Sequence, residues 1–110
     1  MDHPLEIAVS EVQKLLDSNA DFLLLDCREP HEFEIAVIAG ASLIPMSQIA
    51  QRLEEIPVAS DKRIVVYCHH GGRSLRVATW LRENGRLQAQ SMAGGIDRWA
   101  VEIDSEVARY

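Results

Sequence analysis

The chain has 110 residues, a length that suits one domain spanning 1–110 with one hydrophobic core. Hydrophobic residues make up 47%, charged residues 25%, and the formal net charge is −6, which speaks against nucleic acid or an anionic membrane as partner. No run approaches the ~18 apolar residues of a transmembrane helix, and the start "MDHPLEIAVSEV" lacks the basic and apolar regions of a secretory signal, so a cytoplasmic protein is expected.

The elements alternate along the chain, with no internal repeat or low-complexity segment. "LEIA" reads as a short strand. Ser10, with Gln13 three residues on, has the spacing of a capping box and is expected to start a helix with Val12, Leu15 and Leu16 as its apolar stripe. "DFLLLDC" has the continuous apolar character of a strand buried on both faces. Pro30 is placed to open a short helix over "REPHEFEIA". "SLIP" reads as a strand, and "SQIAQRLEEI" as a helix with Ile49, Leu53 and Ile56 on one side. "KRIVVYC" carries β-branched residues in series, the composition of a strand. A helix follows over "RSLRVATWLRENG", with Val77, Ala78 and Leu81 as its stripe and Gly85 at its C-terminal cap. "AQSM" and "GGIDRWAVEI" are the last strand and helix. Such alternation implies a mainly parallel sheet with helices on both faces, and ligands gather at the carboxyl ends of such strands.

Cys68 falls at one of those ends, in "VVYCHHGGRS". A strand, a glycine-containing loop and a helix start together form an anion cradle of backbone N–H groups. Gly71 and Gly72 can take backbone angles that other residues resist. A cysteine heading such a loop is expected to be a thiolate, the nucleophilic form, with Arg73 adding charge and a fork of donors. Ser74 can cap the helix or hydrogen-bond the sulfur. Two reactions suit a thiolate in such a cradle: attack on phosphorus, and attack on a sulfane sulfur to give a cysteine persulfide. Thiol phosphatases use a Cys-x5-Arg loop. Here the spacing is Cys68-x4-Arg73, one residue shorter, and a smaller ring fits one sulfur atom better than a phosphoryl group. No convincing general acid accompanies a phosphate reading, although Asp26 and Asp97 stay open for that role.

The chain resembles the rhodanese domain, a sulfurtransferase family. "LLDCREPHEFEIAVIAGASLIP" resembles its first signature at Asp26, Arg28, Glu32, Phe33, Gly40, Ala41 and Pro45. "VVYCHHGGRS" resembles its active-site loop, and "MAGGIDRW" its final signature through Gly94, Gly95 and Trp99. The ending also resembles rhodanese domains attached to ubiquitin-like activating enzymes. Ala36-Val37 depart from the Gly-His common in the family, outside the sulfur loop. The resemblance implies a three-layer α/β fold on a mainly parallel five-stranded sheet. It also implies that Cys68 takes sulfur from a donor such as thiosulfate and passes it to a small thiol, cyanide or a sulfur-accepting protein, with no cofactor. His69, His70, Gly71, Gly72, Arg73 and Ser74 would form the substrate loop. Asp26, Arg28, Gly94, Gly95 and Trp99 would support it. A small thiol phosphatase or arsenate reductase, and a non-catalytic partner-binding module, remain the alternatives.

Cys27 ends the other apolar strand. In a reducing compartment a lasting disulfide with Cys68 is not expected, and Cys27 reads as a core residue more readily than as a resolving thiol. His69 and His70 do not read as metal ligands with Cys68 and His31, because neighbours in a tight loop rarely point at one ion. Trp80 and Trp99 read as core anchors.

Overall fold

The computed structural model describes residues 3–58 and 61–110. Five strands, β1 (Glu6–Ile7), β2 (Phe22–Asp26), β3 (Ser42–Leu43), β4 (Arg63–Tyr67) and β5 (Ala89–Met92), form one sheet in the order β1-β5-β4-β2-β3. Every neighbouring pair is parallel. Parallel strands need crossover connections, which three helices help to supply, α1 (Val9–Asp17), α2 (Pro30–Ile35) and α3 (Gly72–Glu83), while α4 (Gly95–Glu102) follows the last strand. The α/β architecture expected from the sequence is the one that forms.

Alternation along the central strands splits the core in two. Leu25, Ile64 and Val66 face one way and pack against Val77, Ala78 and Leu81 of α3. Leu24, Val65 and Tyr67 face the other way and pack against Val9 and Val12 of α1 and Ile96 and Trp99 of α4. Both faces of the sheet are therefore covered, which is why β2 and β4 need apolar residues at successive positions. Full burial of each such side chain contributes about 1.5–3 kcal/mol.

Two expectations about local structure are corrected. Helix α1 starts at Val9, one residue before Ser10, and its N-cap Ala8 makes no side-chain cap; the Ser10–Gln13 capping box does not form. Burial of Val9 and Val12 draws the first turn inward, and the Ala8 carbonyl accepts from the Glu11 and Val12 amides. The segment expected as a helix with Ile49, Leu53 and Ile56 on one side is instead two 3-10 turns, Met46–Gln48 and Leu53–Glu55. The apolar side survives, since Ile49 and Ile56 are buried and Leu53 packs against the same core. Two forces oppose a continuous helix. Pro57 holds Ile56 in extended backbone (φ −104°, ψ 122°). The Arg86 guanidinium takes up the carbonyls of Leu53 and Ile56.

What positions the site is the register of the two central strands. Asp26 pairs with Tyr67, so Cys27 and Cys68 stand side by side one step later, on strands about 4.8 Å apart. The Cys27 amide donates to the Tyr67 carbonyl at 3.1 Å.

Candidate active site

After Cys68 the chain turns through residues 69–71 and enters α3 at Gly72. Gly71 is the N-cap, at φ +109° in the left-handed region, and the Cβ of any other residue there would meet the Gly94 amide nitrogen at 3.3 Å. Gly72 needs no such freedom. The turn aims two amides at the sulfur: Gly71 N lies 3.1 Å and Ser74 N 3.3 Å from Cys68 Sγ. Ser74 does not cap α3, as one of its two expected roles required. Its hydroxyl turns inward, 3.4 Å from Cys68 Sγ and 2.7 Å from Ser91 Oγ. With Ser91 donating to it, the Ser74 O–H has two acceptors in reach, the sulfur and the Gly71 carbonyl at 3.2 Å.

The loop is clamped from behind by α4. The first free amides of that helix, Ile96 N and Asp97 N, donate to the carbonyls of Cys68 (2.9 Å) and His69 (3.1 Å). This close approach explains Gly95, while Gly94 before it takes φ +82° as the N-cap of α4. A Cβ on Gly95 would lie 2.3 Å from the His69 oxygen and 2.6 Å from the Cys68 oxygen. Trp99 packs into the core with Ile96, and its carbonyl receives the amides that close α4.

Cys68 is only 1% exposed, and burial opposes its ionisation. Its thiol is nevertheless held well below the usual thiol range. The largest cause is a hydrogen bond from the Cys27 thiol, and the Ser74 hydroxyl and the Ser74 and Gly71 amides follow. Arg73 acts on the sulfur at longer range, through its charge. Cys27 is pushed the opposite way: donating to Cys68 holds its proton, and complete burial adds to the effect. Cys27, expected to be a core filler, is thus also a side-chain donor to the sulfur.

Arg73 does not present its fork to the loop interior or to backbone carbonyls. Nη1 and Nη2 donate to Oε1 and Oε2 of Glu32 at 2.7 and 2.9 Å. Glu32 stands in α2 behind a capping box with Glu29, and its carboxyl is pulled down to about 2, chiefly by Arg73. Tyr110 donates from its hydroxyl to Glu32 Oε2 (2.8 Å) and accepts from Arg28 Nη1 (2.9 Å). Arg28 is fully buried and grips Asp26 through Nε (2.9 Å) and Nη2 (2.7 Å). One hydroxyl therefore joins two ion pairs.

His69 is stacked between His70 (ring centroids 3.9 Å apart) and Tyr110 (3.8 Å, planes 7° apart). Burial, then the neighbouring His70, lower its pKa and disfavour the charged ring. His70 is exposed and borders an open cleft of about 380 Å³ with Gly94, Asp97, Arg98, Val101 and Glu102. Among the described residues, no group of three His, Cys, Asp or Glu is arranged to hold a metal ion. Nor is any described helix long and apolar enough to cross a membrane.

Sequence reasoning missed Tyr110, Ser91 and the partnership of Glu32 with Arg73. The Glu29–Glu32 spacing was a visible helix-start signal. Nothing local announced the others.

Residues 8–102 match the family described as Rhodanese-like domain. The chain is 42% identical over 83 residues to the Bacillus subtilis protein YqhL, covering 76% of this chain and 64% of that one. It is 35% identical over 95 residues to a sulfurtransferase of Allochromatium vinosum (86% and 87% of the two chains). It is 33% identical over 115 residues to the rice adenylyltransferase and sulfurtransferase MOCS3, but spans only 26% of that protein's length. Among solved structures, the human single domain sulfurtransferase TSTD1 superposes with a TM-score of 0.81 at 26% identity, covering 91% of this chain and 98% of that one. With Cys27, Cys68 and the Gly94-Gly95 turn gathered at the carboxyl ends of the strands and the family match running over nearly all of its length, the chain belongs to the rhodanese-like domain family.

Proposed function

We propose that residues 1–110 act as one sulfurtransferase domain in which Cys68 carries the sulfur as a persulfide. The observation that carries the proposal is the Cys68 sulfur itself, 3.1 and 3.3 Å from two converging amides at the head of a four-residue loop. In the first half-reaction the thiolate attacks the sulfane sulfur of a donor, of which thiosulfate is the simplest. The donor's S–S bond breaks, its electron pair leaves on sulfite, and Cys68 gains the outer sulfur. In the second half-reaction an acceptor thiolate, cyanide or a protein thiol attacks that outer sulfur, and Cys68 returns as thiolate. His69, His70 and Gly72 would border the acceptor's approach, while Gly71 and Ser74 hold the charge. No cofactor takes part.

A phosphoryl-transfer reading draws less support. Asp26 is locked on Arg28, and Asp97 is paired with Arg109 (2.9 Å), which leaves both poorly placed as general acids. A reducing, cytoplasmic setting suits two free thiols side by side. By analogy with MOCS3, the acceptor class would include proteins. The test is intact-protein mass spectrometry after incubation with thiosulfate. A gain of one sulfur atom in the natural protein, absent from Cys68→Ala, is expected. No gain, with turnover of an aryl phosphate instead, would overturn the proposal.

A further inference from the structure

Arginines around the sulfur loop are already held by carboxylates. Arg73 is closed on Glu32, Arg28 on Asp26, and Arg109 on Asp97, while Arg98 lies 3.6 Å from Glu102. Arg76, one turn along α3, lines an apolar groove with Met46, Ile49 and Trp80 instead. The Glu32 carboxylate receives four donors: Arg73 Nη1 and Nη2, the Tyr110 hydroxyl and the Glu29 amide at 3.1 Å. A carboxylate has about four acceptor sites, so this one is saturated, and its side chain is only 9% exposed. Tyr110 contributes what few side chains can. Its hydroxyl accepts from a guanidinium and donates to a carboxylate at once, while its ring is fixed flat on His69. A ligand anion seeking the Nη1–Nη2 edge of Arg73 must displace a fully bonded carboxylate.

We propose that Glu32 and Tyr110 are specificity-determining residues of the sulfur transfer proposed above, on which this inference rests. By holding the Arg73 fork closed, they set the site against small dianionic donors such as thiosulfate. They favour donors with at most one negative charge, the charge of an alkyl persulfide. The chemistry balances with either donor. The Cys68 thiolate bonds to the sulfane sulfur, the donor's S–S bond breaks, and the electron pair leaves on sulfite or on an alkanethiolate. What differs is the charge brought to a thiolate whose close donors are two amides, a hydroxyl and a thiol. Two negative charges are costly to bring there while Glu32 holds the Arg73 fork.

The test compares thiosulfate with 2-hydroxyethyl persulfide on the full chain. For each donor, kcat/KM for loading Cys68 is measured in the natural protein, in Glu32→Gln and in Tyr110→Phe. The ratio of thiosulfate to persulfide efficiency is expected to rise at least tenfold in Glu32→Gln, mainly through a lower KM for thiosulfate. A smaller rise in the same direction is expected in Tyr110→Phe, which keeps the ring and tests the hydroxyl should the Gln variant fold poorly. Structural damage alone lowers both efficiencies and leaves the ratio unchanged. Loading by both donors with an unchanged or falling ratio overturns this inference alone. Absence of sulfur on Cys68 with either donor overturns the sulfurtransferase proposal as well.

Discussion

Strands β2 and β4 both end in a cysteine, and the two thiols sit in adjacent register with opposite properties. Cys27 and Cys68 are equally buried, at 0% and 1% exposure, so burial cannot be what separates them. The difference lies in the residues just beyond each strand. After Cys68 comes a turn that folds two amides and a hydroxyl back onto the sulfur. After Cys27 comes Arg28, whose side chain is spent on Asp26, Ala36 and Tyr110. Left without such donors, the Cys27 thiol keeps its proton and gives a hydrogen bond to its neighbour. Reactivity in this pair is set by the supply of donors and not by depth in the core.

The largest expected effect breaks the pair outright. Cys68→Ala abolishes sulfur loading and transfer, whereas Cys27→Ala keeps most of it, as a thiosulfate–cyanide assay would read. A dead Cys27→Ala with an active Cys68→Ala would reverse the assignment. Next comes the clamp behind the loop. Gly95→Ala places a methyl group against the Cys68 and His69 carbonyls at a residue with φ +63°. The expected loss of stability in urea unfolding is about 2–4 kcal/mol.

A finer probe is the pH dependence of Cys68 alkylation, read peptide by peptide. Removing the Cys27 donor should raise the midpoint by about one unit, since a hydrogen bond to a charged group is worth about 1.5–3 kcal/mol and one unit costs about 1.4 kcal/mol. Exchanging both His69 and His70 for alanine should leave the midpoint near its original place. A return to the free-thiol value in that double variant would instead assign the thiolate to a Cys–His pair. An effect of similar size is expected of Arg73→Lys, which keeps the charge but cannot grip both oxygens of Glu32. A loss of at least tenfold in kcat/KM, about 1.4 kcal/mol, is expected for either donor. Unchanged kinetics would show that charge suffices without the brace.

The strands and the sulfur loop were legible because their signals are local. Unbroken apolar runs such as Leu23–Leu25 and Ile64–Val66 mark strands covered on both faces, and glycines after a strand mark a turn into a helix. The segment from Ser47 to Ile56 misled because its apolar spacing serves an irregular path as well as a helix. The proline and arginine that decide the matter act on its last residues, and Arg86 does so from 30 residues away.

Spacing along the chain was enough for the sheet, its covering helices and the position of Cys68 at the head of a short loop. Periodicity, turn residues and helix starts depend on neighbours within a few positions. The choice of partners for that loop belongs to the folded molecule. Glu32 reaches Arg73 across 41 positions and Tyr110 reaches Glu32 across 78, and the register of β2 against β4 brings Cys27 to the sulfur. Such contacts follow from strand order and from the path of residues 104–110 back over the site, which no local pattern encodes. That is why Cys68 could be singled out from ten residues of sequence, while the groups that tune it and close its arginine emerged only once the strands were paired.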